Sequence, residues 1–290
     1  MDVNPRHLAS LAAIADTGSF SAAGSALGRS HSAISLHIKA LEDALNTRLV
    51  DRSVRPARLT ADGEALAEHA RRLEHVLEDI RTVGRSERLA GRLTVGIVPT
   101  AMVRLAPPAL ARLRAEHPDL ALDIRTGLSS ELAQAVRAGE LDAAVLTEPH
   151  TVPDDLALHR VAEEPLVVIG PADATATRDV ELLTAHRFIW FSRKTWAGQQ
   201  IEHALAGRGI RVRAAMEVDS LEAIRSLVRH GLGVSIVPQT DPSPDGLTRL
   251  AFGNPQLKRR VALISRPATP KSRLLAVLQA ALTEAGSVPL

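Results

Sequence analysis

Cysteine is missing from this chain of 290 residues, and the aromatic residues are few: four phenylalanines, two tryptophans and no tyrosine. Without thiols there can be no disulfide, no thiolate zinc site and no cysteine nucleophile, and the lack is consistent with a reducing compartment. Lysine is scarce too, at Lys39, Lys194, Lys258 and Lys271, so arginine carries most of the positive charge. The formal net charge of +2 selects no partner by itself. The N-terminal stretch MDVNPRHLASLAAIADTGSF has charges among its apolar residues and no unbroken apolar core. It reads as neither a secretory signal nor a membrane span, which predicts a cytoplasmic protein with no membrane partner. What is present is 45% hydrophobic and 23% charged residues, enough for two or three packed domains rather than a disordered or fibrous chain.

Three periodicities follow one another. Asn4 and Pro5 open a helix with Leu8, Leu11, Ile14 and Ala15 at helical spacing, and Gly18 ends it. Ser21 is the expected cap of a short helix through Leu27, with a turn at Gly28 and Arg29. From Ser30 a third helix carries Ile34, Ile38, Leu41 and Leu45 inward, leaving His31, Ser32, Ser35 and Lys39 on the other face. The segment Arg48 to Thr60, broken by Pro56, reads as a basic hairpin or wing. Thr60 then caps a helix to about Arg88, in which Leu66, Ala70, Leu73, Leu77 and Ile80 form a heptad seam suited to a partner helix or to the chain's own domain. From Gly91 short apolar strands (Leu93 to Ile97, Leu120 to Ile124, Leu141 to Leu146, Pro165 to Ile169, Phe188 to Phe191, Val212 to Val218, Val234 to Val237 and Arg260 to Ser265) alternate with helices (about Ala101 to Glu116, one capped near Ser129 or Ser130, Trp196 to Ala206, Ser220 to His230 and Lys271 to Glu284), predicting parallel sheets in two α/β lobes with a chain crossover near Glu148 to Asp155.

A helix, a tight turn and a second helix with a polar outer face, followed by a basic wing, is a geometry that presents one helix to a major groove. Between Arg29 and Arg58 six cationic residues face Glu42, Asp43 and Asp51, an excess of three. Basic charge is thus concentrated where phosphate contacts would be needed. A plain packing unit with a solvated charged face fits the same pattern.

Phe20-Ser-Ala-Ala23, Leu27, Ser30-His-Ser-Ala-Ile-Ser35, Ile38, Leu41-Glu42, Leu49-Val-Asp-Arg52 and Leu59-Thr60-Ala-Asp-Gly63 together resemble the winged helix-turn-helix of the LysR-type transcriptional regulators. Gly91-Arg-Leu-Thr-Val-Gly96, His117-Pro-Asp119, Gly139-Glu-Leu-Asp142 and Val218 to Pro238 resemble that family's effector domain. The resemblance implies an α + α/β architecture. Residues 1–60 would form the DNA-binding head and 61–90 a dimerising linker helix. Residues 91–290 would form a two-lobed effector domain like type 2 periplasmic binding proteins, with lobe I at about 91–150 and 266–290 and lobe II at about 151–265. It further implies a homodimer or homotetramer, an inverted-repeat operator in double-stranded DNA, a small-molecule effector, and RNA polymerase as a possible partner. Carried onto matching positions, it assigns His31, Ser32, Ser35 and Lys39 to base edges or nearby phosphates, and Arg29, Arg52, Arg55 and Arg58 to the backbone and minor groove. Val50 stands where the family commonly has phenylalanine, and His31 where it often has glutamine. Leu36 replaces a residue that is often polar or basic; it either meets a thymine methyl or packs against the wing or first helix.

In a two-lobed α/β fold a ligand lies beyond the carboxyl ends of strands, where helix N-termini offer unpaired amides. Four such ends carry hydroxyls: Thr100, Ser129 with Ser130, Thr195 and Ser220. Thr147 adds another at the crossover. Each fits an ordinary helix cap as well as a ligand contact; the resemblance favours Thr100, Ser129 and Thr147. Arg193, with Lys194, would draw an anionic effector if it faced the cleft, and Trp196 could cover the ligand. A glycine-rich phosphate loop, a nucleophile elbow and a His-Glu-x-x-His motif are all missing, and His31 with His37, like His69 with His75, lies six apart. No enzyme activity, cofactor or metal site is expected. The rival reading is a cytoplasmic small-molecule binding protein whose helical N-terminus serves only dimerisation.

Overall fold

Asn4, Ser19 and Ser30 each set a side-chain oxygen over the start of a helix, and these caps fix where the first three helices begin. In the computed structural model, which describes residues 3–54, 56–82, 89–149, 151, 154–239 and 246–288, α1 spans Pro5–Thr17. Asn4 accepts from the Arg6 amide at 2.9 Å, and Gly18 closes the helix at φ 73°. α2, Phe20–Leu27, is capped by Ser19, which accepts from the Ala22 amide at 3.1 Å. The expected cap, Ser21, lies inside the first turn, because Ser19 is the residue that stays extended after the left-handed Gly18. Ser30 caps α3, His31–Leu45, as its pattern predicts. The wing is a two-stranded hairpin, β1 (Val50–Asp51) with β2 (Arg58–Leu59), and α4 runs over Ala61–Thr82. Arg55, and the expected helix end near Arg88, lie outside the described residues.

The core of this unit joins Leu8, Leu11 and Ile14 to Ile34, Ile38 and Leu41, with Leu49 from the wing and Ala67 and Ala70 from α4. The seam on α4 therefore divides. Leu66, Ala70 and Leu73 pack on the head's own core, Leu77 is half-buried, and Ile80 is 59% exposed, as is Val76 beside the seam at 52%. Thr60 ties wing to helix, accepting from the Gly63 amide at 3.0 Å and donating to the Arg48 carbonyl at 2.8 Å. At Gly63 an added Cβ would stand 2.1 Å from the Leu49 carbonyl oxygen, so only glycine allows α4 to start against the wing.

Glu87–Leu290 form the second compact unit, beside Met1–Ser86 as the first. Its elements are β3 (Gly91–Ile97), α5 (Ala101–Arg104), α6 (Ala106–Glu116), β4 (Leu120–Thr126), α7 (Ser129–Ala138), β5 (Ala143–Thr147), β6 (Ala157–Gly170), α8 (Asp179–Ala185), β7 (Arg187–Phe191), α9 (Trp196–Gly207), β8 (Arg213–Val218), α10 (Leu221–Arg229), β9 (Ser235–Pro238), β10 (Thr248–Ala251), β11 (Lys258–Ser265) and α11 (Ser272–Ser287). The single helix expected from Ala101 to Glu116 is broken at Leu105, since Pro107 and Pro108 take two donors out of the ladder. Helix α8 and strand β10 are too short to show a periodicity and are not among the expected elements.

β3 pairs parallel with β4 and β5, and β7 parallel with β8, as alternation predicts. The central pairings are antiparallel: β11 lies between β5 and β6, and β6 also pairs with β9 and β10. These are the strands that carry the chain from one lobe to the other and back, so they run in opposite directions. One core takes Leu93 to Leu156, Val161, Ala162, Val261 to Ile264 and α11; the other takes Leu166 to Ile169, β7, α9, α10 and Phe252. The lobes thus meet inside β6 and at the start of β11, not at the expected 151 and 265, because each connecting strand serves both cores. Among the described residues no helix is long and apolar enough to cross a membrane.

Replacing Gly63 with alanine should cost about 1–3 kcal/mol, the usual range for overpacking, read as a lower denaturation midpoint of the head with an unchanged slope.

Candidate functional site

The inner face of α3 is locked, with Ile34, Ile38 and Leu41 buried, and this fixes the outer face. There His31, Ser32, Leu36 and Lys39 are exposed and Ser35 is half-buried. The His31 ring tilts against Phe20 at 5.6 Å, and Ser32 Oγ lies 2.9 Å from Ser30 Oγ. Leu36 is 66% exposed, so the alternative of packing against the wing or first helix does not hold. Arg29 and Arg58 are exposed, and neither they nor Lys39 has a carboxylate partner among the described residues. Arg52 lies 3.6 Å from Glu42, whose other oxygen accepts from the Leu49 and Val50 amides at 2.9 and 3.2 Å. One carboxylate thereby pins the start of the wing and orients an arginine beside α3. His37, on the flank of α3, stacks on His7 at 4.5 Å with Ser10 Oγ 2.7 Å from its Nδ1. Burial first, then the charges of His7 and Arg29, lower its pKa.

In the second unit a cavity of about 400 Å³ opens between the lobes. Thr100, Ser129, Thr147, Thr195 and Ser220 all line it, as does one residue the sequence reading missed, Arg259. The hydroxyls divide into two kinds. Thr195 and Ser220 are caps, accepting from the Gly198 and Ala223 amides at 2.9 and 3.3 Å. Thr100 and Ser129 are not: Thr100 makes no side-chain cap bond, and Ser129 is the first helical residue after the capping position, Leu128. Both residues are buried and line the cavity without closing a helix.

Arg259 and Glu164 are directly opposite in the β11–β6 register and both are fully buried. Arg259 donates from Nε to Glu164 Oε2 at 2.9 Å and from Nη2 to the same oxygen, while Nη1 donates to Thr100 Oγ1 at 2.6 Å and reaches Thr147 Oγ1 at 3.5 Å. The pair stands where the two cores meet, and Arg259 also lines the cavity. The burial alternation Lys258 out, Arg259 in, Arg260 out, Val261 in is visible in the strand pattern, and Glu163-Glu164 opposite Arg259-Arg260 is the cross-strand signal that could have found it.

Arg193 is a correction. It does not line the cavity; it is held by Glu217, through its amide at 2.9 Å and its guanidinium at 3.0 and 3.2 Å, and lies 5.1 Å over the Trp190 ring. These bonds, the Glu217 side-chain bond foremost, raise its pKa, and the same contacts lower that of Glu217. Trp196 likewise does not line the cavity and packs partly buried against the first lobe's core. The charged groups at the mouth are instead Asp219 and Glu222.

Comparison with known proteins agrees with both units. Residues 5–64 match the family model "Bacterial regulatory helix-turn-helix protein, lysR family", and residues 86–287 match "LysR substrate binding domain". A probable RuBisCO transcriptional regulator of Cyanidioschyzon merolae is 32% identical over 236 residues, covering 78% of each chain. A full-length OxyR variant from Pseudomonas aeruginosa is similar in structure at a TM-score of 0.74 and 27% identity, covering 97% of this chain and 95% of that one. CbnR complexed with its target DNA shares the fold at a TM-score of 0.73 and 23% identity, over 97% and 99% of the two chains. The chain belongs to the LysR family and is a DNA-binding transcriptional regulator with an effector-binding domain. The reading of a binding protein with a merely dimerising N-terminus gives way to this one.

Glu164→Gln, which keeps the shape but leaves the buried guanidinium uncompensated, should destabilise the effector domain by about 3–5 kcal/mol, measured by urea unfolding against wild type.

Proposed function

We propose that α3 enters the major groove of an operator with His31, Ser32, Ser35, Leu36 and Lys39 at base edges or adjacent phosphates, while Arg29, Arg52 and Arg58 hold the backbone. Arg55 belongs to the same proposal through the family pattern. The observation that carries this reading is the contrast within α3. Its apolar face is fixed in a core, and its hydrogen-bonding face is uncovered beside Arg29 and Arg58, which lack carboxylate partners among the described residues. Residues 1–60 serve as the head and 61–90 as the linker. The uncovered apolar part of α4, Ile80 of the seam with Val76 beside it, takes a second copy of the chain, which leads to a dimer or tetramer on an inverted repeat with half-sites about 10 bp apart or multiples of that.

Fluorescence anisotropy on full-length protein and promoter DNA tests this. Binding should weaken steeply with salt, Arg52→Ala should weaken all sequences alike and flatten the salt slope by about one, and Ser35→Ala should cost about 1–3 kcal/mol on the preferred sequence only. Equal loss on every sequence from both variants would count against the assignment.

Residues 91–290 bind the effector in the lobe cavity, with Thr100, Ser129 and Thr147 as hydrogen-bonding groups and Thr195 and Ser220 at the helix ends. The charge at this site does not favour the anionic effector expected from Arg193. Among the described residues the one lining cation, Arg259, is neutralised by Glu164, and Asp219 and Glu222 stand at the mouth. The effector is a compact uncharged or cationic molecule with an apolar body, held against Val98, Leu128 and Phe191. It regulates to the extent that it binds the two arrangements of the lobes unequally. In thermal-shift measurements at equal millimolar concentration, benzamide or benzylamine should raise Tm more than benzoate. Asp219→Asn with Glu222→Gln should diminish the amine effect and spare the amide.

A further inference from the structure

The most exposed large hydrophobic side chain among the described residues is on the helix assigned to DNA: Leu36, at 66%. A single exposed leucine is ordinary on a protein surface. Its position is what gives it meaning. Ser32 precedes it by four residues and Lys39 follows by three, so the stripe along the outer face of α3 reads hydroxyl, isobutyl, ammonium. Leu36 has no place in the head's core, which takes Ile34 and Ile38 on either side of it in sequence.

A leucine brought against the floor of a major groove meets hydrogen-bond donors or acceptors at every base edge, and only one edge adds a methyl group beside them. Against guanine, cytosine or adenine it would strip water from a polar atom and return nothing. Thymine alone presents a methyl group, at C5. We propose that Leu36 is a specificity-determining residue that reads thymine through this methyl, so that each half-site of the operator contains a thymine recognised by apolar contact. The inference rests on the reading of α3 as the groove-facing helix and deepens it. It names a base and the atom by which that base is known. The neighbouring hydroxyls of Ser32 and Ser35 then serve adjacent positions, where hydrogen bonds rather than shape do the selecting.

The test uses operator recovered by iterative selection of random duplexes on the full-length protein. Each thymine is replaced singly by deoxyuridine, which pairs identically and lacks only the methyl group, and affinity is followed by anisotropy. At one thymine per half-site the replacement should weaken wild type about fourfold, the worth of one buried methylene-sized group. In Leu36→Ala the same replacement should have no effect, while the exposed position leaves Tm unchanged. In Leu36→Gln the preferred base should move from thymine to adenine, whose N6 and N7 a carboxamide can bond together. Tolerance of uracil at every position by wild type overturns the proposal, as does undiminished uracil sensitivity in Leu36→Ala. A change in oligomeric state on Leu36→Ala, with DNA preference intact, would show that Leu36 meets a second copy of the chain and also overturns it. If no duplex is enriched at all, the reading of α3 itself falls, which is a different result from bound DNA that ignores the methyl.

Discussion

The effector domain is organised around one buried ion pair. Arg259 and Glu164 face each other across β11 and β6, the two strands that run from the first lobe's core to the second's, and neither has any contact with solvent. An arginine and a glutamate cannot be buried separately at tolerable cost, so each strand is held in register by its need for the other. The remaining donors of Arg259 extend to Thr100, at the start of α5, and Thr147, at the end of β5. Three elements that border the cavity are thus tied to one planar group. A ligand that competes for the Thr100 hydroxyl acts on the strand crossing itself, with no long chain of contacts between.

The head is built on a different principle, in which small residues permit close approach and hydrogen bonds complete it. Glu42 holds the amides that begin the wing, Thr60 closes its far side, and Gly63 lets α4 press against the Leu49 carbonyl. They set the distance between α3 and the arginines of the wing, the two groups proposed to read and grip an operator.

Much of this was legible in the chain because it is local. The caps at Asn4, Ser30 and Thr60, the inward triplet Ile34, Ile38 and Leu41, and the strands around Val95 and Phe188 follow from spacing alone. Ser19 displaced Ser21 as a cap because left-handed Gly18 sets the start of α2, which spacing does not register. The antiparallel crossing of β6 and β11 joins residues about a hundred positions apart, so no window of sequence contains it. The assignment of Arg193 failed for the same reason: Glu217, which holds it, comes from the next strand, and only the folded sheet places the two together. Arg259 escaped because an arginine in a strand is ordinarily taken as solvent-facing, whereas here its partner lies in register on the neighbouring strand.

The division of the α4 seam has a mechanical result. Its first turns are sunk in the same core that seats α3, through Ala67 and Ala70, and the helix then continues outward with its apolar flank bare. Shaft and reading head are consequently built on one core. On the proposed reading of α3 as the groove-facing helix, a turn of the shaft would have no swivel to dissipate in and would turn the probe with it.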